Sequence, residues 1–124
     1  MSPRIAVVED NPDNRLLVQA LLEDRFDIVE FETGVEAVAG LRDAQADLVL
    51  LDISLPEMDG TEVLAWIRQQ DDLRGLPVIA LTAHAMAGDR ERFLSAGFDD
   101  YLTKPIVDEA VLFEAIERCL ATAT

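Results

Sequence analysis

The stretch RIAVVEDNPDN, residues 4–14, decides how the rest of the chain is read. Ile5 to Val8 form a short aliphatic run of the kind a strand buries on both faces. The run stops on two adjacent acids, Glu9 and Asp10, and passes straight into Asn11-Pro12. An N-cap residue followed by proline at the first helical position opens a helix there. A buried strand that ends on two like charges and turns at once into a helix is the unit from which the remainder can be parsed.

Four more runs repeat the pattern: FDIVEF (26–31), ADLVLLD (46–52), LPVIALTA (76–83) and DDYLTKP (99–105). Helical periodicity fills the gaps between them. In the first gap Leu16, Leu17, Ala20 and Leu21 mark the core stripe, which leaves Asn14, Arg15 and Val18 outward beside the acidic pair. Thr33-x-x-Glu36 is a capping box for a second helix, and Asp59-x-x-Glu62 opens a third that carries Val63, Leu64, Trp66 and Ile67. Asp89 to Ala96 and Asp108 to Leu120 supply a fourth and a fifth. Strand and helix alternating strictly, with short connections, require a parallel sheet joined by right-handed crossovers. The expected fold class is therefore α/β, a doubly wound sandwich with helices on both faces.

A chain of 124 residues suits one domain with one core. Half of it is hydrophobic and 28% is charged, which fits a globule and not a disordered segment. The lone cysteine, Cys119, has no internal disulfide partner; its apolar neighbours place it in the core and its solitude suits a reducing, cytoplasmic setting. No apolar run reaches the roughly 18 residues of a membrane span. With 25 acids against 10 basic residues, the net charge of −15 repels a phosphate backbone, so direct nucleic-acid binding is not expected.

Doubly wound sheets bind ligands beyond the carboxyl ends of their strands. In this chain those ends carry Glu9 and Asp10, Asp52, Thr82, and Thr103 with Lys104. Singly, each has an ordinary role: Thr suits a strand, Asp caps a helix, Lys snorkels. Together, three carboxylates at one apolar edge repel one another unless an amine and a cation neutralise them. An all-oxygen donor set calls for a hard ion, Mg²⁺ first and Mn²⁺ second, with Asp10 a direct ligand and Glu9 reaching it through water. A metal, a central carboxylate, a hydroxyl and an amine suit phosphoryl transfer with Asp52 as the nucleophile.

The segments VVEDN, LLDISLPEMDG, ALTAHA and YLTKP, in that order across nearly the whole chain, resemble the response-regulator receiver domain of two-component signalling. The resemblance implies a flavodoxin-like (βα)5 sheet of order 2-1-3-4-5. It implies that Asp52 takes a phosphoryl group from a phosphohistidine, with Glu9, Asp10, Asp52 and the Ser54 backbone carbonyl around Mg²⁺. It pairs Lys104 with the phosphate, makes Thr82 and Tyr101 a switch pair with space vacated beside Ala83, and gives Lys104-Pro105 a cis peptide. Pro56, Met58 and Gly60 match the loop after the phosphoacceptor strand, whereas Glu9 stands where many members have Asp. A sensor histidine kinase or histidine phosphotransfer protein is then expected to dock on Asn14, Arg15 and Val18. A downstream protein target is expected as well, the protein being a monomer or a phosphorylation-favoured dimer through helix 4, strand 5 and helix 5.

Residues 1–124 read as a single receiver domain, core about 4–121, with no output domain and no enzymatic turnover beyond its own phosphorylation and dephosphorylation. Excision from a hybrid sensor kinase is the other setting. A Mg²⁺-dependent aspartyl-phosphate phosphatase is the rival enzyme class, but Ser54 occupies the position of the second acid in its usual DxD pair. A flavodoxin-like interaction module is the other rival; as an FMN binder it would need a phosphate-cradling loop where EDNPDN offers carboxylates.

Overall fold

The apolar run that opens the chain forms β1 (Arg4–Val8), buried from Ile5 onward. It pairs in parallel with β2 (Asp27–Phe31) on one side and β3 (Leu48–Asp52) on the other. The computed structural model describes residues 2–83, 88–104, 106 and 108–122. β4 (Val78–Thr82) and β5 (Asp100–Thr103) complete a five-stranded sheet of order β2-β1-β3-β4-β5, the doubly wound arrangement that strict alternation requires. β2, β3, β4 and β5 are each shorter than the apolar run that announced them. Phe26, Ala46 and Leu76 lie outside the ladder, and Phe26 instead packs its ring 6.4 Å from that of Phe113.

Alternation along the strands sorts the side chains into two cores. Ile5, Val7, Leu50, Ile79 and Leu81 face α1 (Pro12–Leu22) and α5 (Glu109–Thr122). Ala6, Val8, Val49, Leu51, Val78 and Ala80 face α2 (Gly34–Ala44), α3 (Gly60–Gln69) and α4 (Asp89–Ala96). Cys119 is 4% exposed in the first of these cores, and burial pushes its thiol up to about 11, so it acts as a small apolar side chain.

The helix starts follow the capping chemistry. Asn11 accepts from the amides of Asp13 at 2.8 Å and Asn14 at 3.1 Å, with Pro12 at the first position. Asp59 accepts from the Glu62 amide at 3.0 Å. Thr33 accepts from the Glu36 amide at 3.0 Å, but the return arm of the box reaches the Glu32 amide at 3.5 Å.

The core stripe of α1 is a correction. Val18 and Leu22 are the buried positions, Leu17 and Leu21 are half-buried, and Ala20 and Leu16 are exposed, Leu16 at 65%. Leu16, Leu17 and Val18 are three apolar residues in a row, so periodicity alone leaves the rotation of the helix open by one position. Packing settles it: Leu17 and Val18 line a small cavity with Glu9, Leu81 and Lys104, which turns that side of α1 onto the sheet. Among the described residues no helix is long and apolar enough to cross a membrane.

Candidate functional site

β1 and β3 are neighbours at the middle of the sheet, in register from Ile5 opposite Leu48 to Val8 opposite Leu51. The residues next in line, Glu9 and Asp52, therefore emerge side by side, with Asp10 one step further out. Glu9, Asp10 and Asp52 each present a carboxylate oxygen, all within 4.8 Å of one another. Glu9 and Asp52 are buried, at 0% and 1% exposure, whereas Asp10 is exposed.

Lys104 follows β5, where its amide continues the ladder by donating to the Thr82 carbonyl at 2.7 Å. From there its Nζ reaches back to Glu9 Oε1 at 3.0 Å and Asp52 Oδ1 at 3.1 Å. It is the only lysine in the chain. The Ser54 amide also donates to Asp52 Oδ1, at 3.1 Å. That amide reaches Asp52 because the chain turns tightly after β3 and α3 begins hard against it. A Cβ on Gly60 would lie 2.4 Å from the Asp52 carbonyl oxygen, so only glycine permits that approach.

Burial pushes the Glu9 carboxyl up to about 7; its hydrogen bond with Asp52 adds to this, and Lys104 and Asn14 pull it back. Burial would raise Asp52 as well, but hydrogen bonds from Glu9, the Ser54 amide and Lys104 outweigh it and hold Asp52 below the ordinary aspartate range. Lys104 is desolvated too, yet its two carboxylate partners outweigh that and raise it. Within the pair the balance thus favours a proton on Glu9 over one on Asp52, which faces the ammonium. The exposed Asp10 adds a further carboxylate that Lys104 does not neutralise. An all-oxygen cluster with one acid open to solvent fits a hard divalent ion that retains waters, so the residues fit Mg²⁺.

The remaining expected residues divide in two. Thr82, 7% exposed, ends β4 opposite Thr103, and Ala83 after it is exposed. Tyr101 is half-buried, its ring 5.5 Å from that of Phe93 on α4. Ser54 is tied into the site through its N–H; the expectation for it concerned its carbonyl. Residues 84–87 and Pro105, and with them the Lys104-Pro105 peptide, lie outside the described residues.

The expected docking face on α1 is not the outward one. Val18 is buried at 3%, and Asn14 is half-buried and lines the small cavity beside Glu9. Arg15, with its side chain only 15% exposed, donates from Nη1 to the Glu9 carbonyl at 2.8 Å. The sequence reading also missed Asp100, which is 4% exposed and paired with Arg118 of α5 and, at 3.5 Å, with Arg90 of α4. Its only sequence signal is a second acid where β5 begins.

A family model for the response regulator receiver domain matches residues 5–117. The sensor protein GacS of Pseudomonas syringae pv. syringae is 48% identical over 109 residues, covering 85% of this chain but 12% of that protein. The polar-differentiation response regulator DivK of Brucella anthropi is 42% identical over 107 residues, covering 86% of this chain and 87% of its own. Among solved structures, the receiver domain of a sensor histidine kinase from Pseudomonas aeruginosa PAO1, with a magnesium ion in its active site cleft, superposes with a TM-score of 0.87. It is 37% identical, and the match covers 98% of this chain and 99% of that one. The chain thus spans a small part of the kinases it matches and most of DivK.

Proposed function

Because the chain belongs to the response regulator receiver domain family, we propose that it accepts a phosphoryl group from a phosphohistidine onto Asp52 and signals through the change in surface that follows. The observation that carries this reading is the setting of Asp52: a buried carboxylate, 1% exposed, held 3.1 Å from an ammonium beside two further acids. An Asp52 carboxylate oxygen forms the new bond to phosphorus as the bond to the donor's imidazole nitrogen breaks, and the imidazole keeps that electron pair. Ser54 and Lys104 hold Asp52 in place for the displacement, and the Lys104 ammonium stabilises charge on the transferred group. Bound at Glu9, Asp10, Asp52 and the Ser54 carbonyl, Mg²⁺ would supply the remaining charge neutralisation.

Thr82 stands at the end of the strand beside β3 and is the residue we assign to sense the phosphoryl group. A contact from its hydroxyl to the phosphoryl group, made only in the phosphorylated state, is the differential contact that a population shift requires. Tyr101 is the second member, turning further inward past Ala83. The donor is a sensor histidine kinase or a histidine phosphotransfer protein, and the setting is cytoplasmic. The magnesium-bearing kinase receiver supports the ion and a histidine-kinase donor, and DivK, a response regulator by name, supports the signalling role.

Incubation with Mg²⁺ and acetyl phosphate, followed by mass analysis, tests the reading. One phosphoryl group on Asp52 is expected, none in Asp52→Asn, since an amide is no nucleophile here. Undiminished labelling of the variant would refute it.

A further inference from the structure

We infer that Arg15 clamps the Glu9–Asp10 turn, which makes it a positioning residue for the divalent ion; the inference rests on the Mg²⁺-dependent reading of the site above. Arg15 leaves α1 and folds back over the strand ends. Nη1 donates to the Glu9 carbonyl at 2.8 Å, Nη2 meets Glu32 Oε1 at 3.3 Å, and Nε lies 3.6 Å from Glu30 Oε2. The two ion pairs sit at the rim, their acids 35% and 66% exposed, and surface pairs of that kind hold little. The bond to the carbonyl is the part-buried end of the side chain, and it is the one directed at the site.

That carbonyl belongs to the peptide unit joining Glu9 to Asp10, so its direction sets where Asp10 points. Its neighbours are held as well: the Glu9 amide donates to the Phe31 carbonyl at 3.1 Å, and the Glu9 carboxyl accepts from Lys104 at 3.0 Å. Every polar group of Glu9 is therefore pinned, its carbonyl by the first turn of α1. Asp10 inherits its position from that backbone. Groups one shell removed from a metal, which orient its ligands, commonly change its affinity when they are lost.

Charge alone predicts the opposite sign. A guanidinium near a cation site repels the ion, so removing it would tighten Mg²⁺ binding if Arg15 acted only through its field. Removing a clamp loosens binding. The direction of the change therefore separates the two.

The test is an NMR titration of the Asp10 amide with MgCl₂ in the wild type, R15M, R15K and, as a control for loss of one positive charge elsewhere, R25M. Half-saturating Mg²⁺ is expected to rise about ten-fold in R15M. In R15K it rises less, because one ammonium cannot reproduce the fork that spans a carbonyl and two acids. R25M, whose side chain pairs with Glu117, matches the wild type. The rate of acetyl phosphate labelling at saturating Mg²⁺ stays within about two-fold, as expected for a loss of ion affinity alone. Half-saturation in R15M equal to or below that of the wild type overturns the clamp. If R15M loses its dispersed spectrum, R15K decides the matter by the same criterion. A wild type whose Asp10 amide ignores Mg²⁺ overturns the site reading itself, and the clamp with it.

Discussion

The two halves of the sheet's carboxyl edge are built differently. At the β1–β3 corner the backbone is caught from several directions: Asn11 caps α1, Arg15 holds the Glu9 carbonyl, Lys104 and Ser54 hold Asp52, and Gly60 lets α3 start against it. α3 is in turn capped by Asp59 and buries Val63, Leu64 and Ile67. On the β4–β5 side, α4 has eight residues, starts at Gly88 (φ 86°) without a side-chain cap, ends at Gly97 (φ 114°), and buries Phe93 as its one large apolar side chain. Chemistry needs groups held still, whereas a switch needs an element whose alternative positions differ little in free energy. The corner serves the first need and α4 the second.

The largest effect is expected where the corner's charges balance. Lys104→Met leaves Glu9 and Asp52, 1% and 2% exposed in their side chains, without their cation, a loss of about 4 kcal/mol in chemical denaturation without metal. The loss should be larger at pH 8 than at pH 6, where Glu9 can hold its proton. A Lys104→Met protein as stable as the wild type would mean that the corner is not held by this triad. Gly60→Ala comes next, at about 3 kcal/mol, because its Cβ would meet the Asp52 carbonyl oxygen at 2.4 Å and that backbone cannot yield cheaply.

Glu9 also gives stability a pH dependence. Its carboxyl titrates at about 7 in the fold against 4.5 in the free chain, so the folded state holds the extra proton between those values. Its contribution is complete below pH 4.5 and is lost as pH rises through about 7. Asp52 runs the other way: held low, it contributes above its ordinary value of 3.8 and loses that only in stronger acid. Between pH 5 and 8 the wild type should therefore lose on the order of 2 kcal/mol relative to Glu9→Gln, and parallel curves would show that Glu9 is not the proton holder. The smallest effect concerns caps. Asp59→Ala should cost about 1 kcal/mol on α3. An effect within error would mean that α3 starts no more firmly than α4.

Much of this was legible in the chain. Strand ends and helix starts are local events: an apolar run followed by Asn-Pro, or Asp59 three residues before Glu62, names its own structure. The acidic edge was legible too, because a parallel sheet brings all strand ends to one side, so polar residues scattered over a hundred positions converge. What could not be read is rotational or tertiary. Leu16, Leu17 and Val18 leave the face of α1 undetermined, so the sequence turns Arg15 outward where the structure folds it inward over the Glu9 carbonyl. Tyr101 is half-buried because Phe93 comes to it from another helix, and Asp100 is buried because arginines from two helices close over it. Pairings of that kind leave no spacing to read.

The division between a fixed corner and a weakly held α4 is tested most directly by backbone NMR spectra of the Mg²⁺-loaded protein with and without fluoroberyllate bound at Asp52 as a phosphoryl mimic. Apart from residues touching the mimic, amide shifts should concentrate at Thr82, Ala83, α4 and Tyr101, and those of α1, α3 and the Arg15 clamp should stay small. Shifts confined to the immediate neighbours of Asp52, or as large in α1 and α3 as in α4, would contradict it.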